Sequence, residues 1–331
     1  MRRRLRKLLV TGGAGFIGSV FVKKALKDGY KISVVDKLTY AGDLTRLKEV
    51  KDKFKFYRAD ICDKARIEKI FTNDLPDALI HFAAESHVDR SILDSRSFIE
   101  TNIGGTAVLL NAAKKNRVDR FIHISTDEVY GDLENGEFHE GSPLKPSSPY
   151  AASKAAADLL VRSYVRTFNF PAIIVRPSNN YGPGQYPEKL IPLSILRILQ
   201  NRKVPVYAQG KNVREWLFVA DTADAILKVL NKGRVGEVYN LGSDYELQNI
   251  QVVKMLLKIL EAKEDLIQFV KDRPGHDIRY RLDSRKIKRE TGWQPEVKFE
   301  EGLEKTVEWC LFNKEWLFGK WKNIAPLYKN R

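Results

Sequence analysis

The chain has 331 residues and a net charge of +15, from 57 Lys and Arg against 42 Asp and Glu. That length exceeds one ordinary core and fits two subdomains, and 43% hydrophobic with 30% charged residues describes a soluble globular chain rather than a disordered one. No apolar run approaches the ~20 residues of a membrane helix, the two cysteines, Cys62 and Cys310, have neither metal-like spacing nor a disulfide framework, and basic residues spread along the whole chain without a nucleic-acid motif fit a solvated surface around an anionic ligand rather than a DNA or RNA interface.

The basic segment 1–7 runs through only Leu8-Leu9-Val10 before a glycine turn, too little for a signal core, so it is expected to be a basic arm entering the first strand, in a protein of the reducing cytoplasm. Lys7–Thr11 is predicted as a strand and 15–27 as a helix. Further strands are predicted at 31–36, 55–60, 78–84 and 120–125, with helices near 63–72 and 97–115. A helix over 150–167 and a sixth strand at 172–175 follow. Strands alternating with helices at short spacing predict an α/β fold of Rossmann type, a doubly wound parallel sheet covered on both faces. After Pro177 the pattern becomes irregular: Pro and Gly cluster to 187, a helix follows at 190–201, strands at 204–207, 215–219 and 237–240, and helices at 221–231, 250–261 and 300–313, ending in a basic tail. The expected division is a cofactor domain over 1–176, with 213–240 returning to it, and a smaller mixed lobe from 177–212 and 241–331 that takes the substrate.

Gly12, Gly15 and Gly18 lie between the first strand and the first helix, the context in which a glycine turn admits a pyrophosphate to free helix N–H groups. Asp36 ends the second strand, where a carboxylate accepts ribose hydroxyls and repels a 2′-phosphate, so NAD is expected rather than NADP; the neighbouring Lys37 softens that preference. Asp60 at the end of the third strand is a candidate for the adenine amino group or a cap for the helix from 63. Tyr150 and Lys154, four apart behind Pro149, share one helix face, an arrangement in which an ammonium favours a phenolate. Ser125-Thr126-Asp127-Glu128 adds two adjacent carboxylates at the end of the fifth strand. Hydride transfer alone does not need them; an elimination of water does.

At these residues the sequence resembles the extended short-chain dehydrogenase/reductase superfamily, NAD-dependent epimerase/dehydratase family, and within it the dTDP-glucose 4,6-dehydratases. The resemblance is carried by TGGAGFIGS (11–19), VDKLTYAGDL (35–44), HFAAESHVDRSI (81–92), STDEVYGD (125–132), SPYAASKAAAD (148–158), RPSNNYGPGQYPEKLIP (176–192), GKNVREWLFVAD (210–221) and DRPGHDIRY (272–280). The glycine loop and the Tyr-Lys pair belong to the whole superfamily; the Asp-Glu pair and the last long motifs are far more specific. It departs from the pattern at Ala208-Gln209, where Gly-Asp is usual, and at Ala220 and Thr222, where Glu and His are usual.

The resemblance implies a lyase with tightly bound NAD that forms a 4-keto-6-deoxy nucleotide-sugar in deoxysugar and polysaccharide biosynthesis. It implies Tyr150, Lys154 and Thr126 at the C4 hydroxyl, Glu128 as base at C5 and Asp127 as acid at C6. Cofactor contacts would extend from the glycine loop through Phe16 and Ile17 to Lys37, Thr39 and Ile61, and to Ala83, Ala84, Ser86 and Thr101. The nucleotide-sugar would meet His87, Asn180, Lys189 and Leu190, then Pro205 and Tyr207, with Arg214 and Arg273 as phosphate clamps and Asn249 and His276 beside them. No metal, nucleic acid or membrane is expected, and a homodimer pairing the helices near 97–115 and 150–167 is. Competing readings are a related nucleotide-sugar enzyme (a UDP-, CDP- or GDP-sugar dehydratase, a 4-epimerase, a UDP-glucuronate decarboxylase) and a non-catalytic NAD-sensing or RNA-binding protein of this fold.

Overall fold

In the computed structural model, which describes residues 5–325, six strands precede residue 178: β1 (Lys7–Thr11), β2 (Lys31–Asp36), β3 (Phe54–Arg58), β4 (Ala78–His81), β5 (Arg120–Ile124) and β6 (Ala172–Pro177). They are followed by β7 (Asn179–Tyr181), β8 (Val204–Tyr207), β9 (Val213–Phe218), β10 (Val238–Leu241), β11 (Glu246–Gln248) and β12 (Ile267–Val270). The first six and β10 form one parallel sheet in the order β10-β6-β5-β4-β1-β2-β3. The chain leaves β1 toward β2 on one side and returns to β4 on the other. The crevice above the β1–β4 pair, where Thr11 stands opposite His81, is therefore the switch point at which an open α/β sheet holds its ligand.

The inner strands of this sheet are largely apolar, with β4, β5 and β6 fully buried, because helices cover both faces; the edge strand β3 is only partly buried. Helices Phe16–Lys27 and Val219–Lys232 close one face around Val10, Phe21, Val34, Ile80 and Leu230. Helices Lys64–Asp74, Thr106–Lys115 and Pro149–Phe168 close the other around Leu9, Phe71, Leu109, Phe121 and Val161. Within 213–240, β9 pairs with β7 and β11 in a separate three-stranded sheet, whereas the following helix packs on Phe16–Lys27 and β10 joins the main sheet. A third core, with Tyr181, Trp216, Phe299 and Trp321, holds the C-terminal lobe together.

Several boundaries move from their sequence-based positions. The first helix starts at Phe16 with Gly15 as its N-cap, and β4 stops at His81, which frees residues 82–84 to turn over the crevice. The cap of Lys64–Asp74 is Asp63, whose carboxylate accepts the Arg66 amide at 3.0 Å, not Asp60. The expected basic tail is a helix over Lys314–Ile324, held by buried Leu317 and Trp321; Lys314, Lys320 and Lys322 around these anchors masked the pattern. The start of the basic arm, residues 1–4, and the last residues, 326–331, lie outside the described residues. No helix among the described residues is long and apolar enough to cross a membrane.

Candidate active site

All the site residues predicted from the sequence line one cleft of about 480 Å³ between the sheet's C-terminal edge and the C-terminal lobe. The glycine turn forms its floor. Gly12 has φ +70°, and a Cβ there would stand 2.5 Å from the Ala83 nitrogen; one on Gly18 would stand 2.3 Å from the Gly12 carbonyl. Both positions therefore require glycine to keep the turn against β4 and the helix. A Cβ on Gly15 would meet only the Gly12 carbonyl, at 3.0 Å, so this part of the turn faces open space. Asp36 closes the adjoining end: it accepts the amides of Ala14 and Leu38 at 3.0 and 2.8 Å, leaving further lone pairs for hydroxyls, and burial pushes its carboxyl up. Lys37 pairs with Asp60 at 2.5 Å, drawing the ammonium away from Asp36. Residues 12–18, Asp36 and Asp60 thus fit a dinucleotide, with anion-seeking N–H groups at one point and a carboxylate at the ribose position.

The reacting groups converge further along the cleft. Ser148 caps the helix Pro149–Phe168 through the Ala151 amide at 3.1 Å, with Pro149 in its first turn, which sets Tyr150 at its mouth. Lys154, one turn on, donates to the Ile124 carbonyl at 2.6 Å, and burial pushes its ammonium down to about 8. The Tyr150 phenol is pushed well up by burial and then by the Glu128 carboxylate, against the pull of the neighbouring Thr126 hydroxyl. Burial and the neighbouring carboxyls thus both oppose ionisation of this phenol.

Thr126 opens a short 3-10 turn over Asp127–Tyr130 rather than a plain strand end. Its hydroxyl donates to Asp127 Oδ1 at 3.1 Å and accepts the Glu128 amide at 3.3 Å. The turn points the two carboxylates into different surroundings. Asp127 is 2% exposed, its Oδ2 has no hydrogen-bond partner, and burial followed by the Glu128 charge holds its carboxyl well above the usual range. Glu128 is also raised by burial, but Arg273, Lys189 and Arg214 all oppose that rise. Environments that separate two carboxyls in this way are what a proton donor and acceptor pair requires.

The outer wall supplies cations. Arg214 is pinned to the Val213 and Asp277 carbonyls at 2.7 and 2.9 Å and lies over the Tyr280 ring. Arg273 donates to Asp89 at 3.1 Å, while its Nε is buried with no hydrogen-bond partner. Asp89 also accepts the Tyr207 hydroxyl at 2.6 Å. Lys189 donates to the Ser86 carbonyl at 3.0 Å. Burial, then Lys189, pushes His87 down to about 3, and burial, then Arg273, pushes His276 to about 4, so both imidazoles are neutral at neutral pH. Asn180 donates to the Ser178 carbonyl and leaves its own oxygen unpaired. The four departures from the family pattern, Ala208, Gln209, Ala220 and Thr222, do not line the cleft. Ala208 takes the left-handed φ of +48° that a glycine would hold more easily.

Sequence reasoning missed Arg46, Asp89 and Glu188, which also line the cleft. Asp89 and Glu188 sit inside quoted motifs and could have been found there; Arg46 carries no such signal. Also unforeseen is the buried support beneath Tyr150 and Lys154. Asp158 pairs with Arg176 at 2.8 Å, both at most 1% exposed, and Asn102, in a π-helical stretch over Ile99–Gly105, donates to Ser153 at 2.8 Å.

A family model described as GDP-mannose 4,6 dehydratase matches residues 9–306. The chain is 50% identical to the dTDP-glucose 4,6-dehydratase of Neisseria meningitidis serogroup B over 97% of this chain and 96% of that protein. Among solved structures it superposes on DesIV, a dTDP-glucose 4,6-dehydratase from Streptomyces venezuelae with NAD bound, with a TM-score of 0.91 at 46% identity, covering 94% of this chain and 98% of that one. It also superposes on UDP-glucose 4-epimerase from Thermus thermophilus in complex with NAD, with a TM-score of 0.88 at 30% identity over 93% and 99%. The backbone hardly separates dehydratase from epimerase; the identity does.

Proposed function

With this chain a member of the dTDP-glucose 4,6-dehydratase family, we propose that its cleft converts dTDP-glucose to dTDP-4-keto-6-deoxyglucose and water, with Thr126, Asp127, Glu128, Tyr150 and Lys154 as the reacting groups. It is an NAD-dependent hydro-lyase. The observation that carries the residue assignment is the Asp127–Glu128 pair, two adjacent carboxyls held in unlike environments beside Tyr150 and Lys154. The glycine turn, Asp36 and the residues around Asp60 and Ala83 would hold NAD, which would supply the acceptor for the C4 hydride and the hydride returned to C6.

Tyr150 takes the proton of the C4 hydroxyl, with Thr126 holding the same oxygen in line. Oxidation at C4 acidifies the C5 proton; Glu128 removes it and returns it to C5 once the hydride has reached C6. Asp127, kept protonated by burial, gives its proton to the departing C6 hydroxyl, so that water leaves without a buried hydroxide. Arg214, Arg273 and Lys189 bind the diphosphate and hold Glu128 ionised. His87, Asn180, Leu190, Pro205, Tyr207, Asn249 and His276 bound the sugar and base.

We divide the chain into a cofactor unit, 1–176 with helix Val219–Lys232 and strand Val238–Leu241 returning to it, and a substrate lobe. We further propose a cytoplasmic homodimer. Ile99, Leu159 and Phe168 are 54%, 56% and 49% exposed on the faces of the helices near 97–115 and 150–167, apolar area that a second copy would cover; a mass of twice 37.9 kDa in solution is the expected result. Incubation with dTDP-glucose should give the alkali-induced absorbance of a 4-keto-6-deoxy product. Absence of product from any nucleotide-linked glucose would refute the activity, and a C4-inverted sugar would favour an epimerase.

A further inference from the structure

The glycine turn has a second set of anchors that none of the chemistry above uses. Its Ala14 amide donates to Asp36. The Ala14 carbonyl accepts both the Asp43 amide at 2.9 Å and Nη1 of Arg46 at 3.0 Å. Arg46 reaches two further carbonyls, Ala41 at 2.8 Å and Gly184 at 2.9 Å. One guanidinium thus ties together the turn, the loop after β2 and the segment after β7, a task that suits a rigid fork of donors and not an ammonium. Burial pushes Arg46 down only to about 10, so it stays charged, and its Nη2 is buried without a hydrogen-bond partner.

Asp43 is held in turn from the other end of the chain. Its Oδ1 accepts the Thr45 amide at 2.9 Å. Its Oδ2 accepts the Trp316 indole at 2.7 Å and lies 2.7 Å from the Lys320 ammonium, both on helix Lys314–Ile324. The same indole carries Arg46 at 5.3 Å from its ring centroid and packs edge-on against Trp309. The Asp43 side chain is 8% exposed and that of Lys320 24%, so solvent screens the pair only in part. Against its burial, Lys320, the Thr45 amide and Trp316 hold the Asp43 carboxyl well below the usual range.

We propose that Asp43 and Arg46 are positioning residues for the dinucleotide, and that the C-terminal helix, through Trp316 and Lys320, sets how long the cofactor stays bound. This retention role rests on the reading that NAD occupies the cleft and goes beyond it. The amides of Phe16 and Ile17 belong to the first helical turn, which has no internal acceptors for them. Their aim depends on where the preceding carbonyl, Ala14, is fixed. A turn already ordered loses less freedom on binding than one that must be ordered by the ligand. Releasing Asp43 therefore weakens retention without touching a reacting group.

The test measures NAD release from the loaded full-length protein, by rapid separation after dilution into an excess of competing NAD. The variants are Trp316→Phe with Lys320→Met, Arg46→Met, and Lys320→Arg as the conservative control. The double variant and Arg46→Met are expected to release NAD about tenfold faster or more, within the range of ordinary coupling between sites. Lys320→Arg should stay near wild type, and turnover of the double variant at saturating NAD should hold. Release unchanged in the double variant would overturn the proposal. So would an acceleration that merely follows a fall in the melting temperature of the NAD-free form, or a Lys320→Arg variant as leaky as the double variant. A wild-type protein that binds no NAD would overturn the cofactor reading itself, and this inference with it.

Discussion

Asp127→Asn and Glu128→Gln separate the two halves of the elimination. Asparagine preserves the shape of Asp127 and the oxygen that faces the Thr126 hydroxyl at 3.1 Å, so the change removes little but the transferable proton. Loss of one positioned acid or base costs about 10²–10⁴ in rate, or about 2.7–5.4 kcal/mol of barrier. The pH dependence carries more information than the size. Glu128 must be ionised and Asp127 protonated, and both carboxyls are raised, Asp127 well above its ordinary value. Wild-type turnover should therefore rise as pH passes through the lower titration of the pair and fall as it passes through the upper one, the two values belonging to the pair. Glu128→Gln should remove the rising limb and Asp127→Asn the falling one. The assay is product formation from dTDP-glucose across pH 4–10, read as the alkali-induced absorbance of the keto sugar. Turnover within about tenfold of wild type in either variant, or an unaltered bell in both, would refute the assignment.

Arg176→Met should cost about 3–5 kcal/mol, because it strands the Asp158 carboxylate, 0% exposed, without its partner at 2.8 Å. For a chain of this length that lowers the melting temperature by about 4–7 °C; adding Asp158→Leu should recover most of the loss, and a double variant as unstable as the single would contradict the account. Glu215, buried and pushed up to about 7 by burial against three backbone amides, binds its proton more tightly folded than unfolded. Its contribution is present below the ordinary glutamate range and is lost as pH rises through about 7, up to about 3 kcal/mol. Chemical denaturation at pH 5 and 8 should show a steeper fall for wild type than for Glu215→Gln; equal slopes would refute it.

Legibility from the sequence followed the length over which each signal is encoded. Most strands of the main sheet are runs of buried β-branched residues and stand out, as does the helix behind Ser148-Pro149. Strands β7 and β11 are three residues each, shorter than any period can be read. The helix Lys314–Ile324 was hidden because only two anchors one turn apart, Leu317 and Trp321, fix it among lysines. Every predicted site residue lines the cleft, yet Arg46 was invisible: it works through backbone carbonyls at positions 14, 41 and 184, partners that no motif names.

By itself the chain determined what is local: a glycine turn that only glycine can make, a Tyr and a Lys one helical turn apart, and two carboxylates side by side. Only the tertiary structure decided how unlike the surroundings of the two carboxyls are. That outcome depends on burial and on Arg214, Arg273 and Lys189, which the fold brings to Glu128 from 61 to 145 positions away. Desolvation and charge act through space, and their sum at a site exists only once the lobes have closed around it.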